Sequence, residues 1–364
     1  MSAVLLAARR TAVVPRGGAF AALEIHDLAV PVIAAVLADA GLSGADVEEV
    51  ILGNALGAGG NPARLVALAA GLPERVAGLS IDRQCASGLD AIRIAVAMVE
   101  AGQAEVVLAG GVESYSRRPL RARTFADGRA PEPYEQAAFA PDAIRDVDMV
   151  EAADALGRAW GISRAAQDAW AMHSHARALA AGPCAGIVPL IGVSQDPFAR
   201  SLSAKVAARA AHVTGDITAA NTAVAADGAA VCVVVSERVA AGRGLRIAGT
   251  ATLGADPMQP GIAPIAAIAA ALQAADVAPD DLGTAEIMEA YAVQALACIR
   301  GAEIDPEIVN LGGGALARGH PIGASGAVLA VRLFHEMQAR GGAGLAAIAA
   351  AGGLGSALVL RETF

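Results

Sequence analysis

Short apolar runs alternate with longer stretches of helical period along most of the chain, which predicts strands alternating with helices. Residues 4–8 read as a strand. Residues 27–40 read as a helix, with Asp27 as its cap and Gly41 just past its end. Residues 50–52 are a second strand, 53–60 a glycine-rich loop and 62–70 a helix. Ala91, Ile92, Ile94, Ala95, Val96, Met98 and Val99 then carry a helical pattern, followed by a strand at 106–108 and by Gly110-Gly111. Residues 115–148 break the alternation. They are rich in Arg, Pro and acids, hold no period, and read as an excursion from the packed core. Helices at 149–160 and 163–181 follow, the second with Ser163 at its N-cap, and 182–198 is loop and short strand. The apolar run 229–235, introduced by Asp227-Gly228, returns to the core as a buried strand.

The last third repeats the first. Helix 264–275 resembles 27–40, and strand 286–288 sits where 50–52 sat. Ala324-Ser325-Gly326-Ala327 echoes Ala86-Ser87-Gly88-Leu89, and Ala351-Gly352-Gly353 echoes Ala109-Gly110-Gly111. A repeat this long implies two related α/β halves packed with equivalent elements facing one another, each a mixed sheet covered on its faces.

Composition narrows the class. A chain of 364 residues, 55% apolar and 3% aromatic, suits two domains or a duplicated one built from small side chains that approach closely. No apolar run has the length of a membrane span, and residues 1–10 lack the features of a signal peptide, so the expected compartment is the cytoplasm. A net charge of −9 argues against nucleic-acid binding. Lys205 is the single lysine. Arg117, Arg118, Arg121, Arg123 and Arg129 cluster in the excursion, as a solvated surface or a contact for an anionic ligand.

Of Cys85, Cys184, Cys232 and Cys298, no pair has metal or redox spacing. Cys85 stands just ahead of the helix that contains Ala91. A helix N-terminus there lowers a thiol's pKa, which makes Cys85 a candidate nucleophile; a small buried core residue is the alternative reading of this stretch alone. The repeat places Gly319-His320-Pro321-Ile322-Gly323 at the equivalent of residues 83–85. If the halves face one another, Cys85 and His320 meet, and cysteine plus histidine is an activated pair for acyl transfer. His173, His175 and His212 read as surface residues. His26 and His335 sit at helix edges.

Asp82-Arg83-Gln84-Cys85-Ala86-Ser87-Gly88, Gly60-Asn61-Pro62-Ala63-Arg64, the segment 221–228 and above all Gly312-Gly313-Gly314 through Gly319-His320-Pro321-Ile322-Gly323-Ala324-Ser325-Gly326 make the chain resemble the thiolase family, the acetyl-CoA acetyltransferases and 3-ketoacyl-CoA thiolases, along nearly its whole length. The resemblance implies an α/β thiolase fold, five-layered αβαβα, from two duplicated halves with an inserted loop domain. The halves would be 1–115, completed by a return strand at about 225–240, and 241–364, with the CoA-binding loop domain at 116–224. It also implies a mechanism. Cys85 takes an acyl group from acyl-CoA, His320 activates the thiol and helps bind the thioester oxygen, and backbone N–H groups at Cys85 and near Ala351 form an oxyanion hole. Ala223, Met149, Arg200, Lys205 and Arg209 would contact coenzyme A, as substrate. No metal or other cofactor is implied. A homodimer or homotetramer is, and a partner enzyme subunit is a further option, with no nucleic acid and no membrane.

The sequence departs from that pattern. Ala349 stands where the family has its second cysteine, the α-carbon acid/base. Ala351 replaces a glycine beside it. Met288-Glu289-Ala290-Tyr291-Ala292 replaces Asn-Glu-Ala-Phe-Ala, so Met288 takes the place of a water-holding asparagine. Ala223 takes that of a pantetheine-contacting serine, and Asp148 that of a ligand-side histidine. Glu289 and Tyr291 are candidate substitutes for the lost base, Glu289 first, as burial raises a carboxyl toward neutrality. The expected function is a thiolase-like acyltransferase with an acyl-cysteine intermediate and a specialised substrate. The alternatives are a catalytically weak subunit that binds acyl-CoA or a partner enzyme, and a ketoacyl synthase-like condensing enzyme.

Overall fold

The computed structural model describes residues 2–57, 59–182 and 184–362; Ala58 in the loop 53–60 and Pro183 in the stretch 182–198 lie outside the described residues. A ten-stranded sheet runs in the order Leu282–Ile287, Ala343–Ala350, Leu354–Glu362, Leu245–Gly254, Ala3–Arg10, Ala226–Ser236, Val106–Glu113, Glu49–Gly53, Ala77–Ile81, with Val14–Pro15 beside Ala226–Ser236. It is pinched at its middle. Strand Ala3–Arg10 joins Leu245–Gly254 through two residue pairs, Val4 with Arg246 and Leu5 with Leu245. Two half-sheets result, one on each side of that corner.

Helices Ser87–Glu100 and Ile322–Arg340 lie between the half-sheets and share a core with both inner faces, including Leu5, Cys232, Ile348 and Leu358. Strand periodicity sends the alternate residues Val4, Leu6, Val231 and Val233 outward, under helices Ile25–Ala40 and Pro62–Ala69. Helices Ala263–Ala275 and Ala292–Gly301 cover the other half-sheet. The layers are therefore helix, sheet, helix, sheet, helix. The two central helices cross at small residues. A Cβ on Gly326 would lie 2.6 Å from the Leu89 nitrogen, and one on Gly88 2.8 Å from the Ala327 nitrogen. This close approach brings the two repeated helix starts together.

Strand Ala226–Ser236 pairs antiparallel with both Ala3–Arg10 and Val106–Glu113. Before it, the chain forms two small hairpins, Arg121–Arg123 with Glu132–Tyr134 and His212–Thr214 with Ile217–Thr218. Between the hairpins lie helices Met149–Trp160, Arg164–Ala180 and Ala204–Ala208.

Two local readings are corrected, and one strand is new. Asp27 is not the cap of its helix: the helix begins at Ile25, and Asp27 accepts the N–H of Glu24 at 2.9 Å. The edge strand Ala77–Ile81 escaped prediction because its Gly and Ser interrupt the apolar run. His175 is buried, not on the surface, and its Nδ1 accepts the backbone N–H of Arg200 at 3.3 Å. A polar helix face signals water only when no other segment folds over it.

Candidate active site

Cys85 sits on a tight turn between strand Ala77–Ile81 and helix Ser87–Glu100. Gln84 just before it is left-handed, with φ of 51°. Local side chains hold that turn. Asp82 accepts the Gln84 N–H at 2.8 Å, and Ser87 accepts the Arg83 N–H at 2.8 Å while donating to the Gln84 carbonyl at 2.6 Å. His320 precedes helix Ile322–Arg340 in the other half. Its N–H donates to the Val224 carbonyl at 2.7 Å, its Nδ1 lies 2.6 Å from Ser325 Oγ, and its Nε2 lies 3.1 Å from Cys85 Sγ. For Nε2 to accept the thiol proton, Nδ1 carries hydrogen and donates to Ser325.

Burial pushes the Cys85 thiol up to about 12, helped by the negative charges of Glu113 and Asp82; backbone N–H groups of Cys85 and Ala351 pull the other way. Burial brings His320 down to about 4. Both shifts favour a neutral thiol beside a neutral imidazole. The thiol acidified by a helix dipole is therefore corrected. A dipole contributes roughly 0.3–1 kcal/mol, less than one pKa unit, whereas desolvation moves a buried group by up to about 3–5 units.

Cys85 and His320 line a cavity of ≈ 370 Å³ together with Ala349, Ala350, Ala351 and Tyr291. Ala223 and Met149 line it too. Arg200, Lys205 and Arg209 do not; they share a separate shallow depression of ≈ 350 Å³ with Leu202 and Ala220. The excursion contributes Arg121, Glu135 and Phe139 to the cavity wall. Of the other arginines of the cluster, Arg117 pairs with Glu24 at 2.8 Å, and Arg118 pairs with Glu135 of the cavity wall and stacks over Tyr115.

Glu289, the first-named substitute base, is corrected. It is buried outside this cavity and accepts from Trp170 Nε1 (3.0 Å), Ser174 Oγ (2.8 Å), Asn310 Nδ2 (2.9 Å) and the Leu316 N–H (3.1 Å). A carboxylate with four donors is an anchor. It also explains Gly314, where a Cβ would fall 2.0 Å from the Glu289 carboxyl. Met288 packs in the central core. Tyr291 does face the cavity, and burial, with the charge of Asp148, pushes its phenol well above the usual range, so it stays protonated.

Sequence reasoning passed over Ser325, although it lay in the quoted motif, and Glu113. The signal for Glu113 was a charged residue closing an apolar strand, a placement that requires hydrogen-bond partners.

A duplicated five-layered α/β fold whose central helix starts bring a cysteine and a histidine into one cavity defines an acyl-transfer class of enzyme. Residues 3–238 match the thiolase N-terminal domain and residues 244–362 the thiolase C-terminal domain. The chain is 41% identical to the putative acetyl-CoA C-acetyltransferase YhfS of Bacillus subtilis, over 99% of each chain. It is 37% identical to an acetyl-CoA acetyltransferase of Shinella zoogloeoides, over 99% of this chain and 98% of that one. The crystal structure of the Bacillus anthracis acetyl-CoA acetyltransferase superposes with a TM-score of 0.93 at 35% identity, covering 99% of this chain and 98% of that one. The chain belongs to the thiolase family and is a thiolase-type acyltransferase.

Proposed function

We propose that Cys85 carries an acyl group from acyl-CoA to a heteroatom acceptor, rather than making a carbon–carbon bond by an ordinary acetyl-CoA condensation. The observation behind this is the pairing of Cys85 with His320 at 3.1 Å in a cavity where Ala349 offers no proton acceptor. His320 Nε2 takes the thiol proton as sulfur attacks the thioester carbon. The N–H groups of Cys85 and Ala351, both directed at the sulfur, face the tetrahedral oxyanion. Coenzyme A leaves as a thiol with the proton from the imidazolium. The acceptor then attacks the acyl-cysteine, His320 again taking its proton. Heteroatom acceptors need no α-carbanion, so the sequence runs without a second base.

A second reading rests on Tyr291. A phenol kept protonated beside Cys85 is a proton donor for an enolate leaving group, which favours cleavage of a specialised 3-ketoacyl-CoA. A product screen separates the two. Purified protein is incubated with a panel of acyl-CoAs and ketoacyl-CoAs, with and without amine, hydroxyl and thiol acceptors, beside Cys85→Ala. Intact mass reports the Cys85 adduct. Absence of an adduct with every acyl-CoA overturns both readings and leaves a binding subunit.

Residues 116–224 are assigned as the CoA-binding insertion. Ala223 and Met149 would flank the pantetheine arm in the cavity, and Arg200, Lys205 and Arg209 would meet the phosphates in the separate depression. Arg209→Glu weakening coenzyme A more than 3′-dephospho-coenzyme A would support the assignment. A homo-oligomer is proposed through the edge strand Ala77–Ile81, where Leu65, Leu68 and Leu79 are exposed beside an unpaired strand edge. The proposed compartment is the cytoplasm, where free thiols persist; all four cysteines are free, and no described helix is long and apolar enough to cross a membrane.

A further inference from the structure

We propose that Glu113 is a positioning residue, which locks the helix start that follows His320 against the wall of the acyl cavity and so sets the Cys85–His320 distance. This rests on the acyl-cysteine reading above.

Glu113 closes strand Val106–Glu113 and is buried. One carboxylate oxygen accepts from Asn54 Nδ2 at 2.8 Å and from the Leu56 N–H at 3.4 Å. The other accepts from the Ala55 N–H at 2.9 Å and the Gly323 N–H at 3.0 Å. All four partners are uncharged. A carboxylate buried among amides is expensive and stays fixed only while each donor is in place. Its partners lie on both sides of the site. Ala55 and Leu56 line the cavity, and the Asn54 N–H donates to Ile81 at 3.1 Å, at the entry to the Cys85 turn. Gly323 opens the helix that carries Ser325, the hydroxyl that holds His320. There is no slack at this junction: a Cβ on Gly323 would lie 2.8 Å both from Asn54 Cα and from the Glu113 carboxylate. Misplacing reacting groups by about 1 Å costs on the order of a hundredfold in rate.

The same carboxylate titrates in a readable window. Burial pushes Glu113 up to about 7, against the pull of its backbone donors, and Asp82 adds to the shift. The titratable groups around it are Asp82 and Cys85 on the nucleophile turn, His320 before the helix start, and Asp227 on the paired strand, which is held by Ser116. Cys85 at about 12 and His320 at about 4 stay neutral through the same window. Above pH 7 the carboxylate accepts all four bonds. Below it, a proton occupies one oxygen and the clamp loosens.

The test is the single-turnover rate of Cys85 acylation by acetyl-CoA, followed by intact mass between about pH 5.5 and 8.5, with the apparent KM. The full-length wild type is compared with Glu113→Gln and Asn54→Ala. The wild-type rate is expected to fall by about tenfold per pH unit below about 7. Glu113→Gln is expected to be at least about tenfold slower at pH 8, with KM within about twofold and no change of slope between pH 6 and 8. Asn54→Ala removes one donor to the carboxylate and is expected to move the wild-type midpoint to higher pH. Acylation of Glu113→Gln at the wild-type rate, an acid limb that survives in it, or an unmoved midpoint in Asn54→Ala overturns the role of Glu113 and leaves the acyl-cysteine intact. A wild type that forms no adduct at any pH overturns the acyl-cysteine reading and this inference with it.

Discussion

His320 Nε2 lies 3.1 Å from Cys85 Sγ, and burial holds both groups neutral. Proton transfer therefore belongs to the attack itself, not to a thiolate formed beforehand. Because the folded thiol is pushed up to about 12, the thiolate fraction grows by about tenfold per pH unit through the accessible range. Iodoacetamide alkylation of Cys85, read by peptide mass, is expected to rise without a plateau from pH 6 to 9. A plateau reached below pH 7 would mean a thiolate–imidazolium pair instead.

Ser325 fixes which imidazole nitrogen carries hydrogen, through its 2.6 Å contact with Nδ1. Ser325→Ala frees the ring to rotate and to adopt the other tautomer. Acylation is expected to slow by roughly tenfold with the melting temperature nearly unchanged. Single-turnover kinetics beside thermal unfolding checks both halves of this statement.

Glu289→Gln turns an acceptor of four donors into a group with its own N–H₂ facing some of them. The expected cost is about 1–3 kcal/mol of stability, seen as a lower urea midpoint. The acylation rate of the folded protein should stay within about twofold, as the carboxyl lies outside the cavity. A rate loss of more than tenfold in a fully folded variant would restore it to the chemistry.

Ala349→Cys places a thiol on the cavity wall beside Ala350 and Ala351. General acid–base help is worth about 10²–10⁴-fold. Acetoacetyl-CoA thiolysis is expected to gain up to that range. No gain would mean that Tyr291 or another group already moves the proton.

His175 is buried, and its pKa is brought down to about 4 in the folded chain, first by burial and then by Arg200. The unfolded chain takes up its proton near 6.5. Stability from this residue is therefore full above pH 6.5 and is lost as pH falls toward 4. Urea unfolding at several pH values should show a shallower acid slope for His175→Asn than for the wild type.

The duplication and the meeting of Cys85 with His320 were readable in the chain because they rest on local motifs repeated at similar offsets. Ala324-Ser325-Gly326 and Ala86-Ser87-Gly88 announce two helix starts, and their glycines allow the close crossing that joins them. Desolvation was not readable. The Cys85 dipole argument is correct in sign and too small, since burial is decided by distant residues. Glu289 and Glu113 illustrate the same gap. Both are acids near motif residues, yet one is consumed by Trp170, Ser174, Asn310 and Leu316, and the other bridges the cavity wall to Gly323. Which donors converge on a carboxylate depends on tertiary folding. The same holds for His175, whose polar helix face is covered by the segment around Arg200.

Strand Ala3–Arg10 lies between Ala226–Ser236 and Leu245–Gly254 in the sheet. During synthesis this strand therefore waits for partners more than two hundred residues downstream. Contacts of such sequence separation slow folding and keep apolar strands exposed during synthesis. The buried side chains of Ala3–Arg10, Val4 and Leu5 among them, therefore stay open to water until Ala226–Ser236 and Leu245–Gly254 have been made.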